Sequence, residues 1–223
     1  MIDQPIRVLI VDDDELMRVG LRGVLATAGE TIEVVGEETN GRDAIYRTQL
    51  TRPDVVLMDV RMPDLDGISA TREILAAFPD VKVVILTTFE QDDYIFGALS
   101  AGASGFLLKR TPPEELIAAI HTIAAGSSLL SPTVTSRVIA RMASHPAPDP
   151  VRAARLDDLT GRERDVLELL ARGLSNAEIA DALVIEESTV KTHVTRVLAK
   201  LDVRDRVQAV IFAYESGLVP RPG

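Results

Sequence analysis

The chain has 223 residues, 46% of them apolar and only 4% aromatic, with no tryptophan and no cysteine. That length makes two domains the first expectation, and the missing cysteine excludes a disulfide framework, a thiolate metal site and a cysteine nucleophile. A net charge of −10 argues against a nucleic-acid surface spread over the whole molecule, because such surfaces are basic.

The acid is unevenly placed. Residues 1–125 hold 11 Lys and Arg against 21 Asp and Glu, residues 126–155 hold 4 against 1, and residues 156–223 hold 9 against 12. Support for nucleic-acid binding in the last segment must therefore come from local placement rather than bulk charge.

The N-terminal stretch MIDQPIRVLIVDDD contains one short apolar run that ends in acid. No segment has the length to cross a bilayer, so a soluble, cytoplasmic chain is expected. Residues 6–11, 55–58, 82–86 and 105–108 are short runs rich in Val, Ile and Leu, as strands covered on both faces require, and residues 32–35 offer a fifth. Helical patterns lie between and after them, over 16–28, 43–50, 68–77, 94–101 and 113–125. Regular alternation of this kind predicts a parallel, doubly wound sheet. Before the last of these helices, Thr111, Pro112 and Glu114 suggest an N-cap, a proline at the first helical position and a capping box.

Residues 131–142 could form a short helix, whereas 143–155, with three prolines, read as a linker without regular structure. Residues 160–216 then divide into four helices, separated at 173–175, 184–187 and 201–204. The predicted domains are 1–125 and 156–223, joined by a linker over 126–155.

Ligands of an open parallel sheet bind beyond the carboxyl ends of its strands. Those ends carry Asp12-Asp13-Asp14, Asp59, Thr87-Thr88 and Lys109. Carboxylates gathered at one edge repel one another unless a cation compensates, and an all-oxygen set of this kind suits Mg²⁺. The constellation predicts a Mg²⁺-assisted phosphoryl site. Singly, the same residues have plainer readings: Asp14 as a helix N-cap, Lys109 as a solvated lysine, Phe106 as core.

The run DDD, the segment LMDVRMPDLDG around Asp59, TTFEQDD and AGASGFLLK together resemble the receiver domain of two-component response regulators, over roughly residues 5–125. The resemblance implies a flavodoxin-like five-stranded domain in which Asp59 is the phosphoacceptor. It implies that Asp13, Asp59 and the main-chain carbonyl of Arg61 ligate Mg²⁺, with Asp12 acting through water. By the same resemblance Thr87 hydrogen-bonds the phosphoryl group, Lys109 pairs with it, and Thr87 and Phe106 form the switch. Asp14 stands where many relatives carry His, and Arg110 rather than Pro follows Lys109.

The segment LTGRERDVLELLARGLSNAEIADALVIEESTVKTHVTRVLAKLDVRDRVQAVIFAYESGLV resembles the LuxR-type helix-turn-helix, placing the chain beside the NarL/FixJ response regulators. Ser175 and Glu178 form a capping box, as do Thr160 and Glu163. After a tight turn, a second helix carries Val190, Val194, Val197, Leu198 and Leu201 inward. Lys191, Arg196 and Lys200 lie on it, and no acid occurs from 188 to 201. A helix of this size fits the major groove, so Lys191, Thr192, Thr195 and Arg196 are expected to contact DNA, with Lys200 on a phosphate. His193 divides between packing and phosphate binding. The resemblance also implies a dimer surface on the final helix through Val207, Val210 and Ile211, although the domain core explains their spacing equally.

The resemblance implies a transcription regulator rather than an enzyme, served by a sensor histidine kinase, promoter DNA and a second copy of itself. A hydrolase of the haloacid dehalogenase type would also use an aspartate nucleophile on a parallel sheet, but it wants a second acid where Arg61 stands. A receiver governed by a partner protein instead of phosphate would not need the full set of Asp12, Asp13, Asp59, Thr87 and Lys109.

Overall fold

A computed structural model describes residues 4–88, 92–125, 129–130 and 150–219. The chain divides into two compact units, Met1–Ser131 and Pro132–Gly223.

The first unit is built on a parallel sheet of β1 (Ile6–Val11), β2 (Ile32–Glu38), β3 (Val55–Asp59), β4 (Lys82–Thr87), β5 (Gly105–Leu108) and a two-residue β6 (Leu129–Leu130), in the order β2-β1-β3-β4-β5-β6. The five expected strands are all present, and β6 extends their β5 edge. The helices are α1 (Glu15–Ala26), α2 (Gly41–Thr51), α3 (Gly67–Ala77), α4 (Asp92–Ser100) and α5 (Pro113–Ala124).

β1, β3 and β4 occupy the middle of the sheet, which is why their side chains need no polar alternation: Val8 to Val11, Val55 to Met58 and Val83 to Leu86 are all buried. Val8, Ile10, Val55, Leu57, Val84 and Leu86 point to one face and pack with Leu21 and Leu25 of α1 and Leu116, Ile120 and Ile123 of α5. The alternate residues Leu9, Val56, Met58 and Ile85 fill the other face. Because the strands all run parallel, every strand's carboxyl end falls at one edge, where the acids lie.

Two local expectations are corrected. Helix α5 starts at Pro113, with Pro112 as N-cap and no side-chain capping bond, instead of being boxed by Thr111 and Glu114. The residue before a proline is forced out of the helical region, and Pro112 sits at φ −55°, ψ 144°. Residues Pro150–Arg155, read from sequence as linker, form a helix (α6). A proline is tolerated at a helix start, and Arg152 and Arg155 lie over the Phe212 ring while Arg152 pairs with Glu215 at 2.6 Å. Pairing of β6 with β5 joins 129–130 to the sheet of the first unit. The helix expected over 131–142 lies outside the described residues.

The second unit continues from α6 through a short 3₁₀ turn (Leu156–Asp158) to α7 (Gly161–Ala171), α8 (Asn176–Leu183), α9 (Glu187–Leu201) and α10 (Arg206–Glu215). Both capping boxes form: Thr160 with Glu163, and Ser175 with Glu178. Val166, Leu170, Ile179, Ala180 and Val190 make a shared core. Val207, Val210 and Ile211 are buried, at 1%, 3% and 5% exposure, so core packing accounts for their spacing. The tight α8–α9 turn is made by Val184, a β-branched residue at φ 55° with its side chain 90% exposed. No helix among the described residues is long and apolar enough to cross a membrane.

Candidate functional site

The carboxyl edge of the sheet opens into a cleft of about 530 Å³ lined by Asp13, Asp14, Asp59, Arg61, Met62, Thr87, Thr88 and Lys109. Six of these were expected to meet at one edge on strand-end position alone. Asp12 and Asp59 are buried, Asp13 is exposed, and one carboxylate oxygen from each lies within 4.8 Å of the others.

Lys109 reaches into this cluster from the end of β5. Its Nζ stands 2.7 Å from Asp12 Oδ2 and 3.0 Å from Asp59 Oδ2. Its backbone N–H donates to the Thr87 carbonyl at 2.9 Å, so β4 sets the position from which Lys109 reaches. Thr87 itself is buried in the cleft wall, whereas Phe106 packs opposite Ile85 on β5 and does not line the cleft.

Burial pushes the Asp59 carboxyl above the usual carboxylate range, against the opposing pull of Lys109. Burial works the other way on Lys109, but its hydrogen bonds to Asp12 and Asp59 hold it above the ordinary lysine value. Three carboxylates against one ammonium leave a formal charge of −2 on the cluster. An all-oxygen donor set carrying that charge fits a hard divalent cation such as Mg²⁺, and the residues that would hold it are Asp12, Asp13 and Asp59.

Asp14 follows the plainer of its two readings. Its Oδ1 accepts from Leu16 N at 2.9 Å and Met17 N at 3.4 Å, capping α1, while it also lines the cleft. Two residues that sequence reasoning passed over complete the setting. Gly67 presses its Cα so close to β3 that a Cβ there would lie 1.8 Å from the Asp59 carbonyl oxygen. Arg18 of α1 donates from Nη1 to the Asp12 carbonyl at 2.8 Å. Gly67 closes the LMDVRMPDLDG run, which gives no sign of this close approach, and Arg18 belongs to no hydrophobic period or strand end.

In the second unit, α9 buries Val190, Val197 and Leu201 and exposes Thr189, Lys191, Thr192, Thr195, Arg196 and Lys200. Thr192 and Thr195 donate their hydroxyls to the carbonyls of Ser188 and Lys191, both at 3.0 Å, and Lys191 pairs with Glu187 at 3.0 Å one turn earlier. Arg196 has no ion-pair partner among the described residues. His193 is half-buried with Nδ1 inward and unpartnered, which favours packing for that edge of the ring.

Lys200 is engaged within its own unit. Its Nζ lies 2.7 Å from Oε2 of Glu163, a carboxylate at 4% side-chain exposure, which also accepts from the Thr160 backbone N–H at 2.8 Å. The Lys200 bond, aided by the Thr160 backbone, pulls the Glu163 carboxyl down to about 2.

Residues 8–121 match the model of the response regulator receiver domain, and residues 157–213 match the bacterial regulatory proteins of the LuxR family. The transcriptional regulatory protein YxjL of Bacillus subtilis is 44% identical over 215 residues, which cover 96% of this chain and 97% of that protein. The response regulator VraR of Staphylococcus epidermidis is 42% identical over 214 residues, covering 96% and 99%. Among solved structures, the response regulator ChrA of a heme-sensing two-component system is similar at 35% identity, a TM-score of 0.53 and coverage of 97% and 100%. Salmonella typhimurium RcsB shares the fold at 23% identity and a TM-score of 0.57.

Proposed function

Because the chain belongs to the response regulators that join a receiver domain to a LuxR-type DNA-binding domain, we propose that Asp59 accepts a phosphoryl group from a sensor histidine kinase and thereby controls dimerisation and promoter binding. The observation that carries this reading is the cluster itself: Asp12, Asp13 and Asp59 within 4.8 Å, with Lys109 bridging two of them at the mouth of one cleft.

In the proposed reaction, an Asp59 carboxylate oxygen attacks phosphorus in line with the phosphohistidine nitrogen. The new O–P bond forms as the P–N bond breaks, and the departing imidazole nitrogen takes up a proton. Asp12, Asp13 and Asp59, with the Arg61 carbonyl, would hold Mg²⁺, which would supply charge neutralisation to the transferring group when bound. Lys109 exchanges its contact with Asp59 for one with the phosphoryl oxygens, and the Thr87 hydroxyl donates to them from the end of the adjacent strand β4. Both residues already line the cleft, and their backbones are joined at 2.9 Å.

The product is an acyl phosphate on a switchable domain, with no small molecule turned over, as suits a regulator. Thr87 and Phe106 sit on adjacent strands, Phe106 opposite Ile85 and Thr87 opposite Leu108, so a shift of the hydroxyl is transmitted across β5. A phosphorylated dimer then presents two α9 helices to two half-sites, and linkage of two weak contacts raises affinity. Lys191, Thr192, Thr195 and Arg196 are the proposed DNA contacts. The reading places the protein in the cytoplasm, with kinase and promoter.

Incubation of the full chain with a small phosphodonor and Mg²⁺ tests this directly. The protein should gain one acid-stable, base-labile phosphoryl group, lose it in Asp59→Asn, and bind promoter DNA more tightly when labelled. Unchanged DNA affinity on full labelling would sink the switch, and labelling of Asp59→Asn would sink the acceptor.

A further inference from the structure

The cleft depends on the direction of two adjacent carboxylates, Asp12 and Asp13, that leave the same short stretch of chain beyond β1. Asp12 is held at every polar atom. Its N–H donates to the Glu38 carbonyl at 3.0 Å, its Oδ1 accepts from the Asp14 N–H at 3.0 Å, and its Oδ2 meets Lys109 at 2.7 Å. The remaining group, its carbonyl, accepts from Arg18 Nη1 at 2.8 Å.

Asp13 is different. Its side chain is exposed and makes no hydrogen bond among the described residues, yet one of its oxygens falls within 4.8 Å of Asp12 and Asp59. What orients it must act through the backbone. The carbonyl of Asp12 and the N–H of Asp13 belong to one planar peptide unit, so a bond that fixes the carbonyl fixes the plane from which Asp13 departs.

Arg18 is itself braced. Its Nε faces Glu37 Oε2 at 3.7 Å, and the other oxygen of Glu37 is held by Arg22 Nη1 at 2.5 Å. Glu37 lies on β2, in register with Ile10. The Arg18 side chain is only 15% exposed, so it is packed in place. A planar fork holds a carboxylate and a carbonyl in fixed directions, whereas a lysine's rotatable donors on a flexible stem do not fix them.

We propose that Arg18 is a positioning residue for the divalent-cation site: by gripping the peptide between Asp12 and Asp13, it aims the Asp13 carboxylate at the metal position, with Glu37 as its brace. The proposal rests on the reading of this cleft as a Mg²⁺ site for phosphoryl acceptance. Arg18 touches neither metal nor phosphoryl group; its effect is on how well the ligands are aimed before the metal arrives. Outer partners that orient ligands typically change metal affinity by about 10- to 100-fold.

Calorimetric titration of the full chain with Mg²⁺ tests the idea, with Asp13→Asn as the variant that lacks the ligand. Arg18→Met should weaken Mg²⁺ binding by about tenfold, and Arg18→Lys should recover part of that loss. Labelling by a small phosphodonor should need correspondingly more Mg²⁺ for half its maximal rate, while the rate at saturating Mg²⁺ stays within about twofold of the parent. A role in folding alone would lower the maximal rate and leave the Mg²⁺ requirement in place, which overturns the proposal; so does unchanged Mg²⁺ affinity in Arg18→Met. Should that variant not fold, Glu37→Gln removes the brace and leaves Arg18: weaker Mg²⁺ binding supports the proposal, and parental binding overturns it. If the parent chain takes up no Mg²⁺, or Asp13→Asn binds it equally well, the underlying reading of the cleft falls as well.

Discussion

Lys200 and Glu163 meet at 2.7 Å, tying the last turn of α9 to the first turn of α7. A lysine chosen from sequence as a phosphate contact is thus engaged by a carboxylate that is almost fully buried and is already the capping-box partner of Thr160. The ion pair changes what Lys200 is expected to do. It holds α9 against its neighbour, which leaves Lys191, Thr192, Thr195 and Arg196 as the proposed DNA contacts.

Replacing Lys200 with Met leaves Glu163 buried without its cation. The second unit should lose about 1.5–3 kcal/mol, the usual cost of a hydrogen bond to a charged group, read by chemical denaturation of the full chain. The salt dependence of DNA affinity should stay that of the parent. A fall of about one in its logarithmic slope would instead return Lys200 to the phosphates.

The same pair sets an acid limit. Glu163 titrates near 4.5 when unfolded and at about 2 when folded, so the folded state binds fewer protons between those values. Its contribution is complete above pH 4.5 and drains away as pH falls from 4.5 toward 2. Protection of α7 and α9 amides from hydrogen exchange should decline across this window, and Glu163→Gln should flatten the decline. A pH-independent protection pattern in the parent would contradict the assignment.

In the first unit, Lys109→Met would leave the buried Asp12 and Asp59 facing each other with no cation. Breaking a buried pair in this way costs up to about 3–5 kcal/mol, so the variant should melt earlier than the parent in chelator. Added Mg²⁺ should restore more of that loss in the variant than it adds to the parent, because it then replaces the positive charge that bridged the two acids. Equal Mg²⁺ effects on both proteins would show that Lys109 and the cation do not answer the same charge.

Glycines separate packing from propensity. Gly67→Ala places a methyl against the Asp59 carbonyl and should cost about 3 kcal/mol or more while slowing phosphodonor labelling, since the β3–α3 connection must move. Gly23 lies in α1 with nothing within 4 Å of an added Cβ, so Gly23→Ala should stabilise by about 0.5–1 kcal/mol. Thermal melting of both variants checks the contrast, and a neutral Gly67→Ala would refute the close approach.

The parallel sheet, the strand-end acids and the capping boxes at Thr160 and Ser175 were legible in the sequence because each is written over a few consecutive residues. Alternating apolar runs reveal strands, turns reveal caps, and chain topology then carries Asp12, Asp13, Asp59, Thr87 and Lys109 to one edge without any knowledge of distances. Local signals also misled where two causes compete. At Thr111 the capping pattern lost to the constraint that Pro113 imposes on Pro112, and at 150–155 the prolines hid a helix secured by the Phe212 ring and Glu215.

What only the tertiary structure decided are contacts between residues far apart in the chain or on faces with no hydrophobic signature. Arg18 and Lys200 are both charged, helical and unremarkable by composition; one grips a peptide and the other a buried carboxylate because packing of α1 on the sheet and of α9 on α7 brings them there. The residues that carry the acid and the charge were set by sequence. The direction of those groups is set by partners that folding alone supplies, because a charged side chain is long and flexible until a buried acceptor fixes it.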